Sequence, residues 1–90
     1  PILCACVDEA GNKWFCNCTE FRYCERWTIY PTTEERIQAA IRKELTYKEA
    51  FGKSATTAYV YNIDYITGKE SLSEVLINEL SATDALPDGW

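Results

Sequence analysis

Five cysteines in the first 24 residues constrain the fold of this 90-residue chain more than any other feature. They form two Cys-x-Cys pairs followed by a single cysteine: Cys4 with Cys6, Cys16 with Cys18, and Cys24. Between the pairs, residues 8–12 read Asp-Glu-Ala-Gly-Asn, which is a turn signal between two apolar runs. The pattern therefore predicts a β-hairpin made of residues 2–8 and 13–20.

The register of this hairpin decides where the sulfur atoms lie. If residues 10–12 form the loop, Glu9 faces Lys13 and the two cysteine pairs face each other across the strands. In that register Cys6 lies opposite Cys16, and Cys4 lies opposite Cys18. Because side chains alternate between the two faces of a strand, all four sulfur atoms are then expected on one face of the hairpin.

Three states of these thiols are compatible with the pattern. The first is a structural zinc site with four thiolate ligands: Cys4, Cys6, Cys16 and Cys18, with Cys24 as an alternative member. The second is a set of disulfides, in which the odd count of five leaves one thiol over. In the third, the cysteines are small buried apolar residues. Histidine is absent, which excludes Cys-His and Ser-His-Asp nucleophiles and every histidine metal site.

The residues that follow predict a third strand and a helix. Residues 21–30 are rich in aromatic and β-branched side chains, which is typical of a strand. Thr32 and Glu35 then form a capping box that opens a helix. Apolar residues recur at helical spacing after it, so the first helix is predicted over about residues 33–51.

The second half of the chain predicts one more strand and one more helix. Residues 56–66 alternate large apolar side chains with smaller or polar ones, as a strand does. A Thr-Gly-Lys turn follows, and a second capping box begins at Ser71. The apolar face of this second predicted helix consists of Leu72, Val75, Leu76 and Leu80. Residues 82–90 are expected to form a tail held to the core by Leu86 and Trp90.

These elements predict a single α+β domain over residues 1–90. We expect a mostly antiparallel four-stranded sheet in the order β-β-β-α-β-α, with both helices packed on one face. The chain has no run of about 18 apolar residues and no segment of the signal-peptide type. We therefore expect no membrane span and a location in the cytoplasm of a host cell.

The charge of the chain is acidic and uneven. The formal net charge is −5, of which residues 46–90 contribute −4. Such a surface repels phosphate, so direct nucleic-acid binding is not expected, whereas a basic groove on another protein would be attracted. The opposing observation is a basic and aromatic cluster, a combination that can stack bases and pair with phosphates. Its members are Lys13, Arg22 and Arg26 with Trp14, Tyr23 and Trp27.

Two features point to catalysis, and neither completes its motif. Pro1 would offer a secondary amine as a base or nucleophile, as in tautomerases, if it were the true N-terminus. In tautomerases, however, a helix follows the first strand, whereas here a hairpin does. Residues 52–54, Gly-Lys-Ser, match the end of a phosphate-binding loop. Here, however, a predicted helix precedes them and a strand follows, which is the reverse of that motif. We therefore expect that the chain is not an enzyme.

Four short segments, taken in order, carry a resemblance to a known family. They are residues 2–7; Trp27-Thr28-Ile29-Tyr30-Pro31 leading into Glu34-Glu35-Arg36-Ile37; Tyr61-Asn62-Ile63-Asp64-Tyr65; and Glu70-Ser71-Leu72-Ser73-Glu74-Val75-Leu76. The chain thereby resembles the first domain of the ArdA-type antirestriction proteins, inhibitors encoded by phages or mobile elements. The resemblance implies a non-catalytic protein whose acidic surface mimics DNA and occupies the DNA site of a restriction enzyme.

The predicted function is therefore a small acidic inhibitor of a host nucleic-acid-targeting defence system, antirestriction or anti-CRISPR-like, acting by surface complementarity or DNA mimicry. Its partner would be a host protein or protein–nucleic-acid complex, and a homodimer is compatible with this role. The acids expected to bind the partner are Asp64, Glu70, Glu74, Glu79, Asp84 and Asp88. Glu70, Glu74 and Glu79 are expected on one side of the second helix, away from its leucines. The alternative function is a zinc-stabilised structural or adaptor domain.

Overall fold

The computed structural model describes residues 2–52, 55–87 and 89–90. Within these residues it contains five strands: β1 (Ile2–Val7), β2 (Lys13–Glu20), β3 (Cys24–Thr32), β4 (Thr57–Asp64) and β5 (Glu70–Leu76). Two helices, α1 (Glu34–Ile41) and α2 (Tyr47–Gly52), connect β3 to β4, and a short 3-10 helix, Ile77–Glu79, follows β5. Each strand pairs antiparallel with the next, in the sheet order β1-β2-β3-β4-β5. The α+β class with an antiparallel sheet and two helices is confirmed, whereas the prediction of four strands is wrong.

The segment predicted as the second helix is the fifth strand. Its leucines are spaced as on a helix, but Leu72 and Leu76 also fit the alternation of a strand. The preceding turn favours the strand: Gly68 has a φ of 71°, and its amide donates to the Asp64 carbonyl at 2.8 Å, which directs the chain back beside β4. There the segment pairs with backbone groups of β4 that a helix would leave without partners. The observed order is therefore β-β-β-α-α-β-β.

The predicted first helix, residues 33–51, is divided into α1 and α2. Thr33 caps α1 by accepting an amide of the first turn on its hydroxyl. Lys43 has a positive φ of 60°, which ends the helical path. A reciprocal capping box then opens α2: the Thr46 hydroxyl accepts the Glu49 amide, and the Glu49 carboxylate accepts the Thr46 amide, both at 3.1 Å. Neither of these helices is long and apolar enough to cross a membrane, and the same holds for every helix among the described residues.

The register of the β1–β2 hairpin differs from the predicted one by two residues. Cys4 lies opposite Cys16, and Cys6 lies opposite Trp14. The predicted pairings of Cys6 with Cys16 and of Cys4 with Cys18 are therefore wrong. A shift of two residues leaves every side chain on the face expected for it, because the period of a strand is two. The four cysteines of the two pairs accordingly share one face of the sheet.

Asp8 accounts for the longer loop of this hairpin. Its carboxylate accepts the Ala10 amide at 3.0 Å and the Asn12 amide at 2.9 Å. The Asp8 amide donates to the Asn12 carbonyl at 2.9 Å, and Gly11 between them has a φ of 88°. Asx turns of this kind are a local property of Asp followed by Gly and Asn. The loop therefore extends over residues 8–12 instead of residues 10–12.

The apolar core lies on one face of the sheet, under the helices. Its buried members are Phe15, Tyr30, Ala40, Ala50, Phe51, Ala58 and Leu86. The rings of Phe15 and Phe51 stack with centroids 4.2 Å apart, and Tyr30 meets Phe51 edge-on at 5.2 Å. Leu86 brings the C-terminal segment back to this core as predicted. Trp90 is 39% exposed, and its carbonyl accepts the Lys48 amide of α2 at 3.2 Å.

An ion pair ties the C-terminal segment to the same face. Arg26 donates to both carboxylate oxygens of Asp84, from Nε at 2.7 Å and from Nη2 at 2.9 Å. The Thr28 hydroxyl donates to the backbone carbonyl of Asp84 at 2.8 Å. Among the described residues, both helices and the C-terminal segment therefore lie on the same side of the sheet.

Candidate protein-binding surface

The sheet face opposite the helices, which we name the open face, is apolar across all five strands. Strand alternation places on it Cys4 and Cys6 of β1, Trp14, Cys16 and Cys18 of β2, Trp27 and Ile29 of β3, Tyr59, Tyr61 and Ile63 of β4, and Leu72 and Leu76 of β5. Leu72 and Leu76 are 65% and 44% exposed. Wide apolar patches in contact with water are uncommon on monomeric proteins and mark interaction surfaces.

A shallow hollow of about 340 Å³ lies in the middle of the open face. It is lined by Cys6, Asp8, Trp14, Cys16, Ile29, Tyr59 and Leu72. Trp14 and Tyr59 form its aromatic wall, with ring centroids 5.9 Å apart in an edge-to-face arrangement. Among the described residues of this lining, Asp8 is the only charged one. A hollow of this size and composition fits one apolar side chain of a partner better than it fits a polar ligand.

Carboxylates held by aromatic donors surround this apolar floor. The Trp14 indole donates to Asp8 at 3.0 Å, and the Trp27 indole donates to Glu25 at 2.8 Å. Because buried or half-buried indoles need an acceptor, these bonds satisfy the rings and hold the carboxylates in place. The bond from Trp14 also lowers the pKa of Asp8 below its usual value.

A third carboxylate is held in the same way on the outermost strand. The Tyr61 hydroxyl donates to Glu70 at 3.0 Å. Desolvation, and then the hydrogen bond with Glu70, raise the pKa of Tyr61 above its usual value. Glu74 is exposed on the same strand, directly across from Tyr59. We name Asp8, Glu25, Glu70 and Glu74 together the acidic rim.

The open face is negative because no described side chain on it neutralises the acidic rim. Among the strand positions that the structure describes, none of the side chains on this face is a lysine or arginine. The strand residues Lys13 and Arg26 project to the helix side, where Lys13 lies 3.8 Å from Glu34 and Arg26 binds Asp84. The basic and aromatic cluster predicted from the sequence is therefore divided between the two faces of the sheet.

The five predicted partner-binding acids that the structure describes fall into four environments. Glu70 and Glu74 lie on the open face together with Leu72 and Leu76, so the expectation that they point away from these leucines is wrong. Glu79 is exposed in the 3-10 helix. The Asp64 carboxylate accepts the amides of the next turn at 2.8 and 3.2 Å and shapes the β4–β5 hairpin.

Asp84 is not accessible to a partner. Its side chain is 9% exposed and fully engaged with Arg26, whose guanidinium lowers the pKa of the Asp84 carboxyl. The carboxylate is thus a structural component of the fold, contrary to its predicted role on the surface. Asp88 lies outside the described residues, as do Pro1 and the Lys53 and Ser54 of the phosphate-loop match.

The cysteine side chains are not gathered around one point, as the zinc alternative requires. Cys4 and Cys6 are exposed, Cys16 and Cys18 are buried, and Cys24 is half-buried, all as free thiols. Four zinc ligands must converge on one point at about 2.3 Å, but the described residues contain no group of three or more ligand side chains placed to hold a metal ion. The closest approach is between two thiols, with the Sγ atoms of Cys6 and Cys16 3.4 Å apart.

The sequence analysis missed a second exposed apolar feature at one end of the sheet. Phe21 and Tyr23, predicted as strand residues, lie in the β2–β3 turn, where they are 59% and 80% exposed. Glu20 forms this turn by accepting the amides of the next two residues. Tyr65 and Ile66 lie beside it in the β4–β5 turn, and the Tyr65 hydroxyl donates to Glu25 of the acidic rim at 3.4 Å. The signal available in the sequence was a carboxylate before each turn, at Glu20 and at Asp64.

Comparisons with protein-family models, with curated proteins and with solved structures found no match to this chain.

Proposed function

We propose that this protein is a non-catalytic, acidic protein-binding inhibitor of a host nucleic-acid-targeting defence system, and that it binds through the open face. The observation that supports the proposal is an uncovered apolar sheet face surrounded by the carboxylates of the acidic rim. The resemblance to antirestriction proteins remains a prediction, and it points to the same class of partner.

The chemistry of the open face defines the partner. The hollow between Trp14, Tyr59 and Leu72 accepts an apolar anchor, and the acidic rim favours arginine or lysine around that anchor. DNA and RNA are disfavoured because their phosphates would be repelled. A second copy bound face to face would place like carboxylates against each other, which is also unfavourable. A basic groove with apolar side chains at its centre, as found on proteins that bind nucleic acids, is complementary.

Phage plating tests this proposal in cells. The chain is expressed in a strain with a restriction–modification system, in a strain with a CRISPR–Cas system and in a strain with neither defence. We expect it to raise the plating of a targeted phage on a defended strain and to leave plating on the undefended strain unchanged. An unchanged plating efficiency on both defended strains would refute the proposed function.

Two matched pairs of variants then test whether the open face is responsible. Glu74→Lys reverses a charge of the acidic rim, whereas Glu35→Lys makes the same change on exposed α1. Leu72→Ser removes an apolar side chain that is 65% exposed on the hollow, and Ile41→Ser removes one that is 66% exposed on the helix side.

The first variant of each pair, Glu74→Lys or Leu72→Ser, should reduce the increase in phage plating. Reversing one exposed charge removes an attraction and adds a repulsion, which together correspond to about 1–2 kcal/mol and a 5- to 30-fold loss of affinity. The charge variant should also reduce the sensitivity of binding to added salt. Equal losses for Glu74→Lys and Glu35→Lys would show that general acidity, and not this surface, carries the activity.

A further inference from the structure

The wall of the hollow contains two thiols in direct contact across the β1–β2 hairpin. Cys6 and Cys16 are diagonal neighbours, since Cys6 lies opposite Trp14 and Cys16 lies opposite Cys4. Their Sγ atoms are 3.4 Å apart, so the sulfur atoms must approach by about 1.4 Å to reach the bonding distance of about 2.0 Å. Because diagonal neighbours have Cα atoms about 7–8 Å apart, closing this gap takes rotation of both side chains together with a small approach of the two strands.

We propose that Cys6 and Cys16 form a reversible cross-strand disulfide when a low-molecular-weight disulfide such as oxidised glutathione is present. The bond formation rests on the thiol contact alone. Its consequence for partner binding rests on the proposed function, because both residues line the hollow that would accept the partner's apolar side chain.

The reaction consists of two thiol–disulfide exchanges. In the first, the Cys6 thiolate attacks oxidised glutathione, forms a mixed disulfide and releases one reduced glutathione. In the second, the Cys16 thiolate attacks the Cys6 sulfur atom and releases a second reduced glutathione. Two protein thiols lose two electrons and two protons, and one glutathione disulfide gains them.

Accessibility fixes the order of the two exchanges. Cys6 is exposed and can meet the oxidant directly, whereas Cys16 is buried. Burial, followed by the hydrogen bond with Cys6, raises the pKa of Cys16, so little thiolate is present there at neutral pH. The contact with Cys6 places the mixed disulfide next to this otherwise unreactive thiol. Cys4 lies opposite Cys16 across the strands, so it competes with Cys6 for a bond to Cys16. A bond that forms with Cys6 and not with Cys4 therefore distinguishes the proposal from general oxidation of the cluster.

Intact mass spectrometry of the full chain tests the bond. The reduced protein is incubated with oxidised glutathione, its remaining thiols are alkylated, and the products are digested with trypsin. We expect two alkylated cysteines fewer, a mass lower by about 2 Da before alkylation, and a cross-link between the tryptic peptides 1–13 and 14–22. Because each of these peptides contains two cysteines, variants are needed to assign the bond.

Serine variants assign the bond and supply the controls. Cys6→Ser, at an exposed position, should reduce the cross-linked peptide at least about tenfold, whereas Cys4→Ser and Cys24→Ser should leave it at the wild-type level. Loss of the cross-link in Cys4→Ser but not in Cys6→Ser would overturn the assignment. A stable glutathione adduct on Cys6 without any cross-link would overturn the proposal itself. No partner takes part in this measurement, so its failure is distinguishable from failure of the plating assay.

Discussion

The Arg26–Asp84 ion pair makes a quantitative prediction about stability. Asp84→Ala removes the carboxylate that accepts two charge-assisted hydrogen bonds, at 2.7 and 2.9 Å. The Asp84 side chain is 9% exposed and that of Arg26 is 34% exposed. The substitution therefore leaves a partly buried guanidinium without its partner and releases one attachment of the C-terminal segment to the sheet.

The expected cost follows from this geometry. Removing one partner of a fully buried ion pair costs about 3–5 kcal/mol. The guanidinium of Arg26 still reaches water, which lowers the expected loss to about 2–3 kcal/mol. In a domain of this size each kcal/mol shifts the melting temperature by about 4–8 °C, so we expect a decrease of about 10–20 °C. The hydrogen bond from Thr28 to the Asp84 backbone does not depend on the side chain and should persist.

The same ion pair predicts a defined dependence on pH. Arg26 lowers the pKa of Asp84 in the folded protein, so the folded state holds the carboxylate ionised more strongly than the unfolded state does. The stabilisation is fully present above the unfolded pKa of about 3.9 and is lost as the pH falls through the lowered folded value. The difference between wild type and Asp84→Ala should therefore be constant from about pH 5 to 7 and should shrink below about pH 4.

Urea unfolding followed by tryptophan fluorescence measures both effects. Glu79→Ala, which removes an exposed carboxylate from the nearby 3-10 helix, is the matched control and should change the unfolding free energy by less than about 0.5 kcal/mol. An Asp84→Ala value equally close to wild type would refute the structural role of the pair. A large loss that stays unchanged down to pH 2 would show that packing, and not the charge, is responsible.

Two further predictions concern the hairpin turn and the thiols. Gly68→Ala should lower the unfolding free energy by about 1 kcal/mol because Gly68 has a φ of 71°, whereas Gly52→Ala, where an added Cβ meets open space without a positive φ, should cost nothing in the same urea assay. Elemental analysis of the purified protein should find far less than one equivalent of zinc, and a chelator should leave the melting temperature unchanged. Equal effects of Gly68→Ala and Gly52→Ala would contradict the role of the turn. One equivalent of tightly held zinc would support the four-cysteine site instead.

The sequence predicted the first four strands well because the relevant signals are local. The bounds of β2 are those expected. β1 ends one residue earlier than predicted, and β4 begins one residue later and ends two residues earlier. The predicted β3 begins too early, at Phe21, because aromatic residues favour strands, whereas the Glu20 carboxylate accepts the next two amides and forms a turn there. The division of the predicted first helix was also encoded locally, in the capping box at Thr46 and Glu49.

The candidate surface was predictable only in part. Glu70 and Glu74 were named from the sequence as partner-binding acids, and both lie on the open face, but Asp8 and Glu25 were not. Their positions depend on indole donors brought near by the hairpin register and by strand alternation. Asp84 appeared equivalent to the other acids in the sequence, because only the fold brings Arg26 to it from 58 residues away.

By itself, the sequence determined the antiparallel hairpin, the shared face of the four paired cysteines and the α+β class, since alternation and turn residues act between close neighbours. Pairing with β4 decided that residues 70–76 are a strand, because their leucines satisfy two periodicities and the unpaired edge of β4 favours one of them. The local turn at Gly68 directs the segment to that edge. The tertiary structure also decided that one apolar face of the sheet stays open. Each strand has two faces that alternate in the sequence, but the side on which the helices and the C-terminal segment pack depends on contacts between distant residues such as Phe15 and Phe51.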